Sequence, residues 1–270
     1  MMAYATPMGG LPKQTDDLTG KAVFTEAYAF LPAGTMRDIV TSYLPGWDGM
    51  RMWMIARPLS GFAETFSQYI VELQPGGGSD VPESNPEAQG VLFVTSGHMV
   101  LHCPLGRFDL RPGSYVFLPA GAGWRLRNEG DEIATFHWIR KKYQPAHGVP
   151  APECFVTHDE DGTVVEMPDT GGKWSTTRFV EPSDLRHDFH VNIVNFQPGG
   201  VIPFEETHVM EHGLFVLEGT ADYLLNRDWV SVGPGDFMWL RAFCPQACRA
   251  TGEGPFRYLL YKDVNRHAGL

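Results

Sequence analysis

Glu206, His208 and His212 stand between two glycines, Gly200 and Gly219, in the last third of the chain. Their spacing is even, so on a continuous strand all three would point to one face, and a turn between them would still leave them close together. A carboxylate and two imidazoles converging in this way can hold a divalent metal. Gln246 follows Gly235 by eleven residues and would add a fourth donor from a neighbouring strand. These donors are hard to borderline, which suits Mn²⁺ or Fe²⁺, leaves Zn²⁺ and Ni²⁺ open, and disfavours a soft Cu⁺. Each residue alone has a duller reading: a Glu or Gln is usually solvated, and a lone strand His usually packs or hydrogen-bonds. The combination at this spacing favours the metal.

The chain supplies its own control, because the segment from Gly78 to Arg140 lies on that from Gly200 to Lys262 with a constant shift of 122 residues. Gly97 falls on Gly219, Pro112-Gly113 on Pro234-Gly235, Tyr115 on Phe237 and Ala120 on Ala242. The places of Glu206, His208, His212 and Gln246 are taken in the first copy by Ser84, Pro86, Gly90 and Trp124. No ligand set survives there, so the first copy is expected to be metal-free, with His98, His102 and His137 packing or at the surface. Tyr258 falls on Phe136, Lys262 on Arg140 and Tyr223 on Leu101. Tyr258 and Lys262 share parity on one strand and therefore a face. A strand-end Lys is usually solvated and a Tyr often belongs to the core, but their place in the metal-bearing copy points to substrate contact.

Short strands must position these groups. Tyr69–Leu73, Val91–Val94, Tyr115–Leu118, Leu214–Leu217 and Phe237–Leu240 are runs of β-forming residues closed by Gly, Pro or Asn, and no long helical periodicity competes. Gly and Pro make up 51 of 270 residues, a turn-rich composition for a many-stranded protein. The expected fold is all-β, two small barrels or sandwiches in tandem. Residues 1–50 form an arm or outer strands, with Ala27–Phe30 and Asp38–Val40 as candidates, residues 51–148 the first barrel, and residues 149–270 the second, the linker being the Pro/Gly-rich stretch Gln144–Pro152.

A net charge of −11 opposes nucleic acid or an anionic membrane surface as partner, leaving a small molecule as the default. The first residues lack a basic segment followed by an apolar run, so a cytoplasmic location is expected. Cys103, Cys154, Cys244 and Cys248 form no CxxC pair and read as reduced, mostly buried thiols.

The glycine-framed ligand spacing in both halves resembles the cupin superfamily, with departures: Glu206 stands where the usual first His would be, His212 where a Glu would be, and Gln246 where the second motif carries His. The run Glu206–Gly213, with Leu217-Glu218-Gly219, Tyr223, Asn226, Trp229, Gly235-Asp236, Gln246, Tyr258, Tyr261-Lys262-Asp263 and Asn265-Arg266, resembles the (S)-ureidoglycine aminohydrolase family of tandem cupins. That resemblance implies Mn²⁺ on Glu206, His208, His212 and Gln246, with Tyr223, Tyr258 and Lys262 in the substrate pocket. It also implies a homo-oligomer, and a reaction that hydrolyses (S)-ureidoglycine to (S)-ureidoglycolate and ammonia. Lys262 is the first choice for proton transfer, with Glu206 able to double as ligand and base, while Glu211 is expected to be structural. A metal-dependent cupin oxygenase and a non-enzymatic ligand-binding tandem cupin are the competing readings.

Overall fold

The computed structural model describes residues 22–35, 44–263 and 266. Asp38-Ile39-Val40 and Asn265 lie outside the described residues. The described chain is all-β apart from three short 3₁₀ turns, and no helix among these residues is long and apolar enough to cross a membrane. Its described Cα atoms cluster into two units, the first holding residues 44–57 and 65–161 and the second residues 22–35, 58–64 and 162–263.

In the first unit a nine-stranded antiparallel sheet is built around Ser67–Ser79, Ala88–Ser96, Ser114–Leu118 and Ala134–Lys142. Phe155–His158, beyond the Pro/Gly stretch, pairs with Ser114–Leu118 and completes this sheet. The core is set by strand alternation: Tyr69, Val71 and Leu73 on one strand face Phe136 and Trp138 on the next, with Leu92, Val94, Leu101 and Leu126 closing the cluster.

The second unit repeats the plan. Its eight-stranded sheet runs through Phe237–Leu240, His212–Glu218, Phe256–Asp263, Phe189–Phe196 and Trp174–Arg178 as neighbours, and a three-stranded sheet contains Ala221–Leu225, Asp228–Val232 and Gln246–Ala250. The outer strand Tyr28–Leu31 pairs with Phe237–Leu240. Even-numbered residues point inward on four strands of the larger sheet: Val194, Phe196, Leu214, Val216, Met238, Leu240, Phe256 and Tyr258 meet Tyr223, Leu225, Val232 and Cys248 from the smaller one. Burying each large apolar side chain contributes about 1.5–3 kcal/mol. This favours one register, because a one-residue slip would turn every one of them outward.

The shift of 122 residues is visible as geometry. Met99–Cys103 and Gly106–Leu110 correspond residue for residue to Ala221–Leu225 and Asp228–Val232. The bulge beside Thr135 and Phe136 recurs where Val216 passes to Glu218. At that bend Gly97 and Gly219 both have left-handed φ, 72° and 74°. A Cβ on Gly219 would lie 2.1 Å from the Pro255 carbonyl oxygen, so only glycine fits.

Candidate active site

The metal-competent residues meet at one end of the second barrel, around a cavity of about 200 Å³. They arrive by different routes. His212 opens the strand His212–Glu218, buried and pointing inward. Gln246 opens Gln246–Ala250, and Glu206 is locked opposite it by a reciprocal pair of backbone hydrogen bonds, each 2.9 Å. His208 sits on the connecting loop, its carbonyl accepting from the Phe243 N–H at 2.6 Å. Residues 202–211 make only the isolated bridge at Glu206, so the three ligands are joined by an irregular loop and not by a continuous strand. Pro203 at its start cannot supply a ladder donor, in keeping with that irregularity.

The side chains are in contact. Glu206 Oε1 lies 3.4 Å from His208 Nε2, and the His208 and His212 rings are 5.0 Å apart. Gln246 bridges the set to the phenols: its Oε1 accepts from Tyr223 Oη at 2.7 Å, and its amide nitrogen lies 3.3 Å from His212 Nδ1. His212 Nε2 is buried with no hydrogen-bond partner. Burial, with His208 and Lys262 nearby, drives the His212 pKa down to about 3, so the imidazole is neutral and carries a lone pair. Among the described residues no three His, Cys, Asp or Glu side chains form a ready cage; here one of the four donors is an amide, and Glu206 and His208 contact each other. A buried, neutral imidazole whose Nε2 has no partner, beside a carboxylate, a second imidazole and a carboxamide, nonetheless fits a divalent ion in donor chemistry.

Tyr258 and Lys262 follow on the strand Phe256–Asp263, both lining the cavity. The two phenols are 3.4 Å apart, and burial raises both far above the usual phenol range, so they stay protonated. Lys262 lies opposite His190 on one side and His212 on the other. Desolvation, aided by the Arg178 charge and opposed by Glu206, lowers its pKa. No carboxylate or carbonyl pairs with its ammonium among the described residues.

Glu211 faces away from this set and is buried. Its Oε1 accepts from the Trp239 indole N–H at 2.5 Å and the Glu64 N–H at 2.6 Å, a structural anchor for the strand that begins at His212. Among the cavity residues that sequence reasoning missed are Trp174, Arg178 and Asn192. The signal for Asn192 was present: it is an amide inside the apolar run Phe189–Phe196, on the inward parity.

The first unit has a cavity at the same place, about 240 Å³, lined by Ser84, Pro86, Gly90 and Trp124, the counterparts of the four donors. Trp124 and Trp138 meet edge to face at 5.8 Å there. Arg140, the counterpart of Lys262, is bound to both carboxylate oxygens of Glu83 at 2.6 Å. His137 is buried against Gln68, His102 approaches Arg125 at 3.4 Å, and His98 is exposed.

Comparison with known proteins agrees with this duplication. Residues 69–140 and 192–261 each match the cupin domain. The (S)-ureidoglycine aminohydrolase of Arabidopsis thaliana is 30% identical, covering 95% of this chain and 83% of its own, and that of Escherichia coli K12 is 28% identical over 98% of both. The crystal structure of a protein from Pseudomonas aeruginosa described as glyoxylate-induced superposes with a TM-score of 0.91 at 64% identity, covering 100% of this chain and 99% of that one. With two cupin domains spanning half its length and a relative at this identity over nearly all of it, the chain belongs to the (S)-ureidoglycine aminohydrolase family of tandem cupins.

Proposed function

We propose that the protein is a Mn²⁺-dependent hydrolase that converts (S)-ureidoglycine and water to (S)-ureidoglycolate and ammonia. The observation that carries this reading is the meeting of Glu206, His208, His212 and Gln246 in one cavity with Lys262, whose ammonium has no ion-pair partner among the described residues. Those four residues would hold the ion. When bound it supplies Lewis acidity and a fixed orientation for the groups at the reacting carbon.

The chain's own groups do the rest. Tyr223 donates to Gln246 Oε1 and so fixes the amide. Tyr258, protonated, offers a donor on the same wall. The buried surroundings of Tyr223 and Tyr258 restrict bulk water to what the reaction uses. As water attacks the aminal carbon its proton passes to the Glu206 carboxylate, while Lys262 Nζ hands a proton to the departing amine. The C–N bond breaks, a C–O bond forms, and ammonia leaves.

Freshly prepared (S)-ureidoglycine added to the purified chain, with and without Mn²⁺, tests this. One ammonia per ureidoglycolate formed, dependent on the metal and without oxygen uptake, is expected. A metal-loaded chain that releases no ammonia above the spontaneous rate overturns it.

A further inference from the structure

Two cations share the cavity, and only one carboxylate lines it. Arg178 ends the strand Trp174–Arg178, half-buried, and Lys262 lies on Phe256–Asp263. Neither has an ion-pair partner or a side-chain hydrogen bond among the described residues. The one acid in the lining, Glu206, is already against His208. In a chain of net charge −11, a pocket with uncompensated positive charge selects an anion. Two neutral groups in the same lining also lack partners: Trp174 Nε1, a donor, and Asn192 Oδ1, an acceptor on a side chain only 2% exposed. Buried polar groups are normally paired, so an unpaired donor and acceptor around one cavity point to a ligand that completes them.

The register puts these groups side by side. Asn192 pairs with Leu260, Lys262 with His190, and Arg178 lies one residue beyond the Thr177–Ile193 pair, which brings it opposite Asn192. In the first unit Trp138, 122 residues before Leu260, pairs with Tyr69, and Tyr69 with Met54. The places of Asn192 and Arg178 are therefore a phenol and a thioether in the copy without the donor set. The polar wall, like the metal donors, is confined to the second copy.

We propose that Arg178 anchors the carboxylate of the substrate while Asn192 and the Trp174 indole N–H read its ureido end, leaving Lys262 for proton transfer. The inference rests on the functional reading above and deepens it. A guanidinium presents two parallel N–H donors that match a carboxylate, whereas the Lys ammonium is a point charge whose proton is free to move. A ureido group offers a carbonyl acceptor for Trp174 Nε1–H and N–H donors for Asn192 Oδ1.

Calorimetric binding to the Mn²⁺-loaded chain separates the roles without turnover. Hydantoate is the substrate without its leaving amine, and N-ethylurea lacks the carboxylate as well. Wild type is expected to bind hydantoate at least about tenfold more tightly than N-ethylurea. Arg178→Met erases that preference, Arg178→Lys keeps part of it, and Lys262→Met leaves it within about threefold. Asn192→Leu weakens both probes about equally. Each variant's melting temperature and Mn²⁺ content are measured alongside, and the ratio of two probes on one variant cancels general damage to the site. Should Arg178→Met not fold, a fall of about threefold or more in the preference of Arg178→Lys carries the test. A preference intact in Arg178→Met, lost instead in Lys262→Met, or absent in wild type overturns the assignment. Arg178-dependent hydantoate binding without ammonia release from (S)-ureidoglycine would overturn the functional reading alone.

Discussion

Arg140 and Lys262 occupy the same place in the two copies, and their surroundings predict opposite responses to the same substitution. Arg140 grips Glu83 through two contacts of 2.6 Å, with side chains 22% and 12% exposed, and lies 4.8 Å over the Trp138 ring. Arg140→Met strands the Glu83 carboxylate in a mostly buried place. Breaking a buried pair from one side costs about 3–5 kcal/mol, and the residual exposure of Glu83 lets water recover part of that, so a loss of about 2–4 kcal/mol is expected. Lys262 has no such partner, so Lys262→Met strands nothing and removes a half-buried ammonium. Stability should stay within about 1 kcal/mol of wild type or rise.

Activity divides the other way. Lys262→Met should lower ammonia release by about 10²-fold or more, the scale of a lost acid–base group, with Mn²⁺ content unchanged. Arg140→Met should keep wild-type kcat wherever it is folded. Urea titration, elemental analysis and an ammonia assay on both variants measure these quantities. Near-normal turnover by metal-loaded Lys262→Met would reduce Lys262 to a solvated strand-end charge, and a stability loss beyond about 2 kcal/mol would show that its ammonium had a partner after all.

Elemental analysis should find one Mn²⁺ per chain. His208→Ala should lose more of it than Gln246→Ala, since a neutral carboxamide oxygen is the weaker donor, and two ions per chain would contradict the control given by Ser84, Pro86, Gly90 and Trp124. Burial holds His137 at about 3 against an ordinary 6.5, so on acidification the unfolded chain takes up that proton first. Its contribution is full above about pH 6.5 and falls as pH drops toward 3, by up to about 1.4 kcal/mol per pH unit. His137→Leu should flatten the stability curve in that window, and parallel curves would refute the assignment. Gly219→Ala, with φ 74° and a Cβ driven into the Pro255 carbonyl, should cost about 2–4 kcal/mol in a thermal melt, and a neutral result would mean the bend can relax.

Much of the frame was legible because it is written in local signals. Strand runs such as Tyr115–Leu118 and Phe237–Leu240 are short, apolar and closed by turn residues, and each is a strand. The duplication was legible from glycines whose surroundings leave no room for a Cβ, Gly97 and Gly219 among them. The meeting of Glu206, His208, His212 and Gln246 followed from spacing, although their connection through a loop did not, because parity cannot tell a strand from an irregular turn that returns to the same place. Glu211 was legible as a residue facing away from the ligands, but its acceptance of the Trp239 and Glu64 N–H groups depends on residues distant in sequence. Arg178, Asn192 and Trp174 escaped for the same reason: they enter the site through cross-strand pairing, and the pairing of Trp174–Arg178 with Phe189–Phe196 is not encoded at any fixed spacing.

The two cavities show what separates a scaffold from a site when the backbone is the same. In the first, the counterparts of the site residues are occupied from within: Arg140 has Glu83, Trp124 packs on Trp138, and Gly90 leaves its Cβ space to the Trp138 indole. In the second, among the described residues, Lys262 and Arg178 have no counter-ion and His212 Nε2, Asn192 Oδ1 and Trp174 Nε1 no partner. Folding alone gives little reason to keep such groups, since an apolar side chain of similar volume in each place leaves no polar group unpaired. Their persistence around one cavity is therefore accounted for by what enters it. On the proposed reading, a small molecule with a carboxylate and a ureido group, met by a divalent ion, would satisfy all of them at once, whereas a purely structural barrel would satisfy none.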